Sequence, residues 1–171
     1  MQNYFELFDL ETSFFIDESA LKRSYQLEIS RFHPDNFATK SEPEKLQALQ
    51  NTSLLNSAYS VLKAPLSRAT YLLKLEGMNA FDEKDTAMEE GFLISQIELR
   101  DELEAIEEKK DSLGLDDFIE RVDSFIEEKI ESISEAYNLS SDQQLIKMHV
   151  RELKFFDQLY KEANALMDEW L

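Results

Sequence analysis

Ser30-Arg31-Phe32-His33-Pro34-Asp35-Asn36-Phe37-Ala38-Thr39-Lys40-Ser41 lies between two helical patterns, and its reading decides the fold. Pro34 disfavours helical geometry at His33 and has no N–H to donate, so a helix arriving from Leu21 must stop near His33. A loop from His33 to Lys40 follows. His33 and Asp35, two residues apart, invite an acid-base dyad. Pro34 holds the backbone between them extended, however, no nucleophile stands nearby, and nothing converges to form an oxyanion hole. From spacing alone the tripeptide reads first as a helix stop, with Asp35 or His33 capping the carbonyls of that helix or the start of the next. A rigid exposed loop is also a docking surface.

Outward from the loop, both neighbours read as helices. Asp17 is placed to cap a helix through Leu21, Tyr25, Ile29 and Phe32, apolar at three- and four-residue spacing, behind a short aromatic segment of Tyr4, Phe5, Leu7 and Phe8. Ser41 with Glu44 three residues on makes a capping box, and Pro43 is tolerated in the first turn. The helix they open carries Leu46, Leu49, Leu54, Leu55, Ala58, Tyr59 and Leu62. Pro65 starts a further stretch with Leu66, Ala69, Leu72 and Leu73, which Gly77 ends as a C′ residue.

With 171 residues the chain makes one domain or two small ones, and 43% hydrophobic residues supply a core. Three glycines and three prolines argue against turn-rich all-β folds. Gly77 and Gly91, the nearest pair of glycines, are fourteen residues apart, so no glycine loop can cradle phosphate. With no cysteine and two histidines, His33 and His149, disulfide scaffolds, zinc fingers, thiol catalysis and iron-sulfur ligation by its own cysteines are excluded. The first residues, MQNYFELFDLETSF, hold acids and no basic region, and no window approaches about eighteen uncharged apolar residues. Neither a signal peptide nor a membrane span is expected, which leaves the cytosol as default location.

The net charge of −18 is unevenly spread. Residues 1–75 carry eight Lys/Arg against nine Asp/Glu (net −1), and residues 76–171 ten against twenty-seven (net −17). The second part repels nucleic acid and anionic membrane, so its partners are expected to be proteins. Residues 78–86, MNAFDEKDT, are polar and unpatterned apart from Phe81. The expected organisation is therefore an N-terminal domain over 1–76, a linker over 77–86 and a C-terminal domain over 87–171. The last holds amphipathic helices over about 87–111 and over 116–138 (Phe118, Val122, Phe125, Ile126, Ile130, Ile133), then one opening at Ser141, boxed with Gln144, and reaching Trp170. Gly114 and the segment 138–141 are connections short enough to force antiparallel neighbours, giving a three-helix bundle in an all-α protein.

The first bundle helix has two apolar sides. At 100° per residue, Phe92, Leu99, Leu103 and Ile106 fall within about 60° of one another and face the core. Leu93, Ile94 and Ile97 fall opposite, beside Glu90, Glu98 and Asp101. Left open to water, that face has an apolar centre and an acidic rim, the anatomy of a protein-binding site. Covered by the N-terminal domain or by residues 78–86, it is core instead.

Four segments together carry a resemblance. His33-Pro34-Asp35 after one helix, with Leu54-Leu55-Asn56-Ser57-Ala58-Tyr59-Ser60-Val61-Leu62 on the next, resembles a J-domain. Pro65-Leu66-Ser67-Arg68-Ala69-Thr70-Tyr71-Leu72-Leu73 before Gly77, and Phe92-Leu93-Ile94-Ser95-Gln96-Ile97-Glu98-Leu99-Arg100-Asp101-Glu102-Leu103 in the acidic bundle, are similar to the HscB co-chaperones over nearly the whole chain. The resemblance implies a J-domain that docks on a DnaK-type chaperone, the dedicated HscA, and stimulates its ATPase while hydrolysing nothing itself. It makes His33, Pro34 and Asp35 the stimulating loop and Lys22, Arg23 and Arg31 the cations that meet an acidic chaperone surface. It also implies that the bundle binds the iron-sulfur scaffold protein IscU through Leu93, Ile94, Ile97, Glu98 and Asp101, with Phe155 on the last helix. The implied job is delivery of the scaffold in support of iron-sulfur cluster transfer, by a monomer with no cofactor or metal of its own.

The chain departs from the family at three places. Asn36 stands where a cation commonly follows the aspartate, Gln26-Leu27 where a basic pair is common, and Ala105 where some relatives have an acid. The first two point to a dedicated rather than a general chaperone. Two other classes compete. One is an acidic helical interaction protein whose His-Pro-Asp only stops a helix; the other is a metal-binding carboxylate bundle, against which the absence of any Glu-x-x-His argues. His149 reads as a half-buried helix histidine, Trp170 and the phenylalanines of 118–125 as core, and Glu107-Glu108 and Glu127-Glu128 as solvated faces.

Overall fold

Asp17 accepts hydrogen bonds from the N–H groups of Ser19 and Ala20 and starts α2 (Glu18–Arg31), while Ser41 and Glu44 close the capping box that starts α3 (Glu42–Leu62). Both starts are those expected from the side chains. A second box, Asn3 with Glu6, opens the single turn α1 (Tyr4–Leu7), and Pro65 stands at the head of α4 (Pro65–Leu75). Gly77 follows α4 at φ +85°, a left-handed position that glycine enters without strain. A computed structural model describes residues 2–82 and 88–171, and every regular element among them is helical. They form two compact units, Met1–Glu76 and Gly77–Leu171. Residues 83–86 of the expected linker, and residue 87, lie outside the described residues.

In the first unit α2 and α3 run antiparallel, with Tyr25 stacked on Tyr59 at 4.2 Å between ring centroids. Phe5, Phe8, Leu21, Ala58, Leu62, Ala69 and Leu73 are buried between the helices. Leu46, Leu49 and Leu54 belong to the apolar pattern of α3 but stay exposed, because the helix is covered on one side only. Arg68 lies among these hydrocarbons, 6% exposed. Its Nε donates to the carbonyl of Phe14 (2.7 Å) and its Nη1 to that of Leu62 (2.8 Å), while the guanidinium lies 4.9 Å from the Phe14 ring centroid. Burial lowers its pKa from the usual arginine value and Glu18 opposes that shift. A single side chain thus ties α4 to the end of α3 and to the strandless segment before α2.

The second unit is a bundle of α5 (Glu90–Lys109), α6 (Ser112–Leu139) and α7 (Gln143–Trp170). Phe92, Leu99, Leu103 and Ile106 of α5 pack with Leu115, Phe118 and Val122 of α6 and Phe156, Leu159 and Ala163 of α7. Phe125 and Trp170 lie partly buried against this cluster. Two expected joints differ. Gly114 is inside α6, not before it: Asp111 caps the helix by accepting from the Gly114 N–H (2.9 Å), and a Cβ there would collide with the Asp111 carboxylate. Ser141 does not cap α7. Its N–H donates to the carbonyl of Ala136 (2.8 Å) and closes α6 at φ +51°, so Asp142, with extended backbone, caps α7 instead.

Glu152 of α7 is buried at 3% exposure against Lys129 of α6, with His149 Nδ1 at 3.9 Å. Burial pushes its carboxyl up, but the neighbouring His149 and Lys129 outweigh it and hold the group below the ordinary carboxylate value. His149 is therefore tied to a buried ion pair, with its glutamate three residues after it.

Candidate functional site

Helix α2 ends where the proline requires. The carbonyl of Ser30 should accept from the N–H of residue 34, and Pro34 has none. The Asn36 side chain takes that place, its Nδ2 donating to Ser30 O at 2.9 Å, while the Asn36 N–H donates to His33 O at 2.9 Å. The backbone N–H of His33 also reaches Ser30 O, at 3.4 Å, and the His33 side chain caps the start of the next turn, the second of the two expected places. Residues Pro34–Phe37 form a 3₁₀ turn.

His33 heads that turn. Its Nδ1 accepts from the Asp35 N–H at 3.2 Å and lies 3.5 Å from Asp35 Oδ2. Both side chains still face water, His33 at 59% and Asp35 at 92% exposure. Lys22, Arg23 and Arg31 are exposed on α2, with Arg31 paired to Glu28 at 2.9 Å. Beside the turn opens a mainly apolar groove of about 510 Å³, lined by Ile29, Phe32, Pro34, Phe37, Ala48 and Leu49 among others. The leucine pattern of α3 did not reveal it, since a leucine on a groove wall and one in a core have the same spacing.

The second place is on α5. Leu93, Ile94 and Ile97 are exposed at 42, 51 and 63%, opposite the buried Phe92 and Leu99, with Glu98 and Asp101 exposed on the same side. Phe155 of α7 is half-buried, edge-on to Phe92 at 5.7 Å, and lines one depression with Ile97 and Asp101. Arg100 was not expected here. Its guanidinium sits 5.5 Å from the Phe155 ring centroid and pairs with Glu162 of α7, bridging the two helices beside the patch. Among the described residues no cluster of His, Asp and Glu has the makings of a metal site, and no helix is long and apolar enough to cross a membrane.

An antiparallel helical hairpin closed by an exposed His-Pro-Asp turn, carried in one chain with a three-helix bundle, is the architecture of a J-type co-chaperone. Residues 88–164 match the family model described as the HSCB C-terminal oligomerisation domain. Chaperone HscB from Vibrio cholerae is 36% identical, with a TM-score of 0.85, over 99% of this chain and 100% of that one. The human co-chaperone protein HscB is 29% identical (TM-score 0.87; 96% and 81% covered), and the Jac1 co-chaperone from Saccharomyces cerevisiae, in a 5–182 clone, 25% identical (TM-score 0.76; 96% and 94% covered). The chain belongs to the HscB family of co-chaperones.

Proposed function

We propose that this protein delivers the iron-sulfur scaffold protein IscU to the DnaK-type chaperone HscA in the cytoplasm and stimulates the ATPase of that chaperone. Family membership supports the reading, and one observation carries it. The chain offers two chemically different exposed surfaces, a hydrogen-bonded His33-Pro34-Asp35 turn beside the cations of α2, and an apolar patch with an acidic rim on α5. Lys22, Arg23 and Arg31 steer the encounter with an acidic chaperone surface, and the turn engages it. Leu93, Ile94, Ile97 and Phe155 hold the scaffold, with Glu98 and Asp101 selecting a cationic rim. Carrying both sites in one molecule raises the effective concentration of scaffold at the chaperone. No bond is made or broken by this chain; hydrolysis belongs to the partner.

Changing Leu93, Ile94 and Ile97 together to Ala tests the scaffold site. Each side chain carries about 1 kcal/mol or more if it is buried at an interface, so affinity for IscU measured by calorimetry is expected to fall about a hundredfold. The melting profile should stay close to that of the parent, since the three residues are exposed in the free protein. Unchanged affinity would remove the patch from the proposal, and marked destabilisation would make it core.

A further inference from the structure

The turn contains a residue whose work is not contact. Pro34 deprives the carbonyl of Ser30 of its helical donor; the His33 N–H reaches that carbonyl only at 3.4 Å, and the Asn36 side chain supplies the closer donor (2.9 Å). Through its own N–H the same residue holds the carbonyl of His33 (2.9 Å), so it joins the end of α2 to the head of the 3₁₀ turn. His33 and Asp35, joined directly through the Asp35 N–H and His33 Nδ1, lie in the segment that the Ser30–Asn36 hydrogen bond closes. Alanine or aspartate at this position offers no side-chain donor to Ser30; the freed turn can then rotate about the backbone on either side of Pro34.

We infer that Asn36 is a positioning residue that presents His33 and Asp35 to an ATPase partner in one conformation. The inference rests on reading His33-Pro34-Asp35 as the stimulating loop. Lys22, Arg23 and Arg31 sit on α2, outside the turn, so loss of the Asn36 hydrogen bond leaves docking in place and thins the fraction of docked molecules whose turn is correctly set.

The test uses the full-length chain, its Asn36→Ala, Asn36→Gln and His33→Gln variants, and purified HscA. Maximal stimulation of the ATPase and the concentration giving half of it are measured separately. Asn36→Ala is expected to lower the maximum about fivefold, the factor that one net hydrogen bond corresponds to, with little change in half-saturation. Asn36→Gln, which keeps a donor, should recover most of the loss. Faster amide exchange at Asp35 in Asn36→Ala, with the α2 amides unchanged, would accompany the effect. Full stimulation by Asn36→Ala alongside a silent His33→Gln overturns the inference and leaves the functional reading standing. If Asn36→Ala instead raises half-saturation at an unchanged maximum, Asn36 is a contact residue and the inference also fails. Full activity of His33→Gln would remove the reading on which it rests.

Discussion

His33→Gln is expected to reduce stimulation of the HscA ATPase to its basal rate and to leave the fold unchanged. The imidazole is more than half exposed, so the cost in stability should stay within about 0.5 kcal/mol. What glutamine removes is local. Nδ1 accepts the Asp35 N–H and lies 3.5 Å from the Asp35 carboxylate, so ring and carboxylate are presented as a pair with a stiff proline between them. Glutamine has an extra rotatable bond and no ring nitrogen at that point. The measurement is steady-state hydrolysis by purified HscA, with circular dichroism of the variant as control. Stimulation that survives would reduce His33-Pro34-Asp35 to a helix stop.

Arg68→Met is expected to destabilise the first unit by about 3 kcal/mol. The carbonyls of Phe14 and Leu62 each lose a charged donor in a place that water does not reach, and an unsatisfied buried carbonyl costs about 1–3 kcal/mol. Relief from burying a cation offsets part of this, because methionine fills similar volume without charge. In a unit of this size the loss corresponds to roughly 15 °C in melting temperature. Lysine should fall between, since it keeps the charge but cannot span two carbonyls with a planar fork. Urea unfolding followed by circular dichroism, with amide exchange at Leu55, Ala58 and Leu62, reports on the unit that holds the residue. A loss under about 1 kcal/mol would mean that the two carbonyls are hydrated after all.

The features legible in the sequence were those set by neighbours along the chain. Pro34 had to end α2, Ser41 and Glu44 had to open α3, and the 100° turn of a helix separated Phe92, Leu99, Leu103 and Ile106 from Leu93, Ile94 and Ile97, as burial bears out. The all-α fold and the HscB family followed from motifs in order. Hidden were the residues whose partners are distant or compete. Arg68 finds its acceptors 54 and 6 residues away, and Glu152 finds Lys129 on another helix; neither has a periodicity to betray it. Arg100 meets Glu162 across 62 residues. At Ser141 two capping rules met, and the left-handed closure of α6 took the residue that a serine box would have used. Asn36 looked like a missing cation because sequence shows what a residue lacks more readily than the carbonyl it serves.

The central claim is that scaffold and switch act from the same molecule. Single-turnover ATP hydrolysis by HscA, with IscU present, separates it from any looser arrangement when the parent protein is compared with an equimolar mixture of His33→Gln and the Leu93/Ile94/Ile97→Ala triple variant. The mixture contains one intact copy of each site, never on one chain. The account predicts that the parent and IscU together accelerate hydrolysis beyond the product of their separate effects and that the mixture does not. Parent-like synergy from the mixture would contradict it.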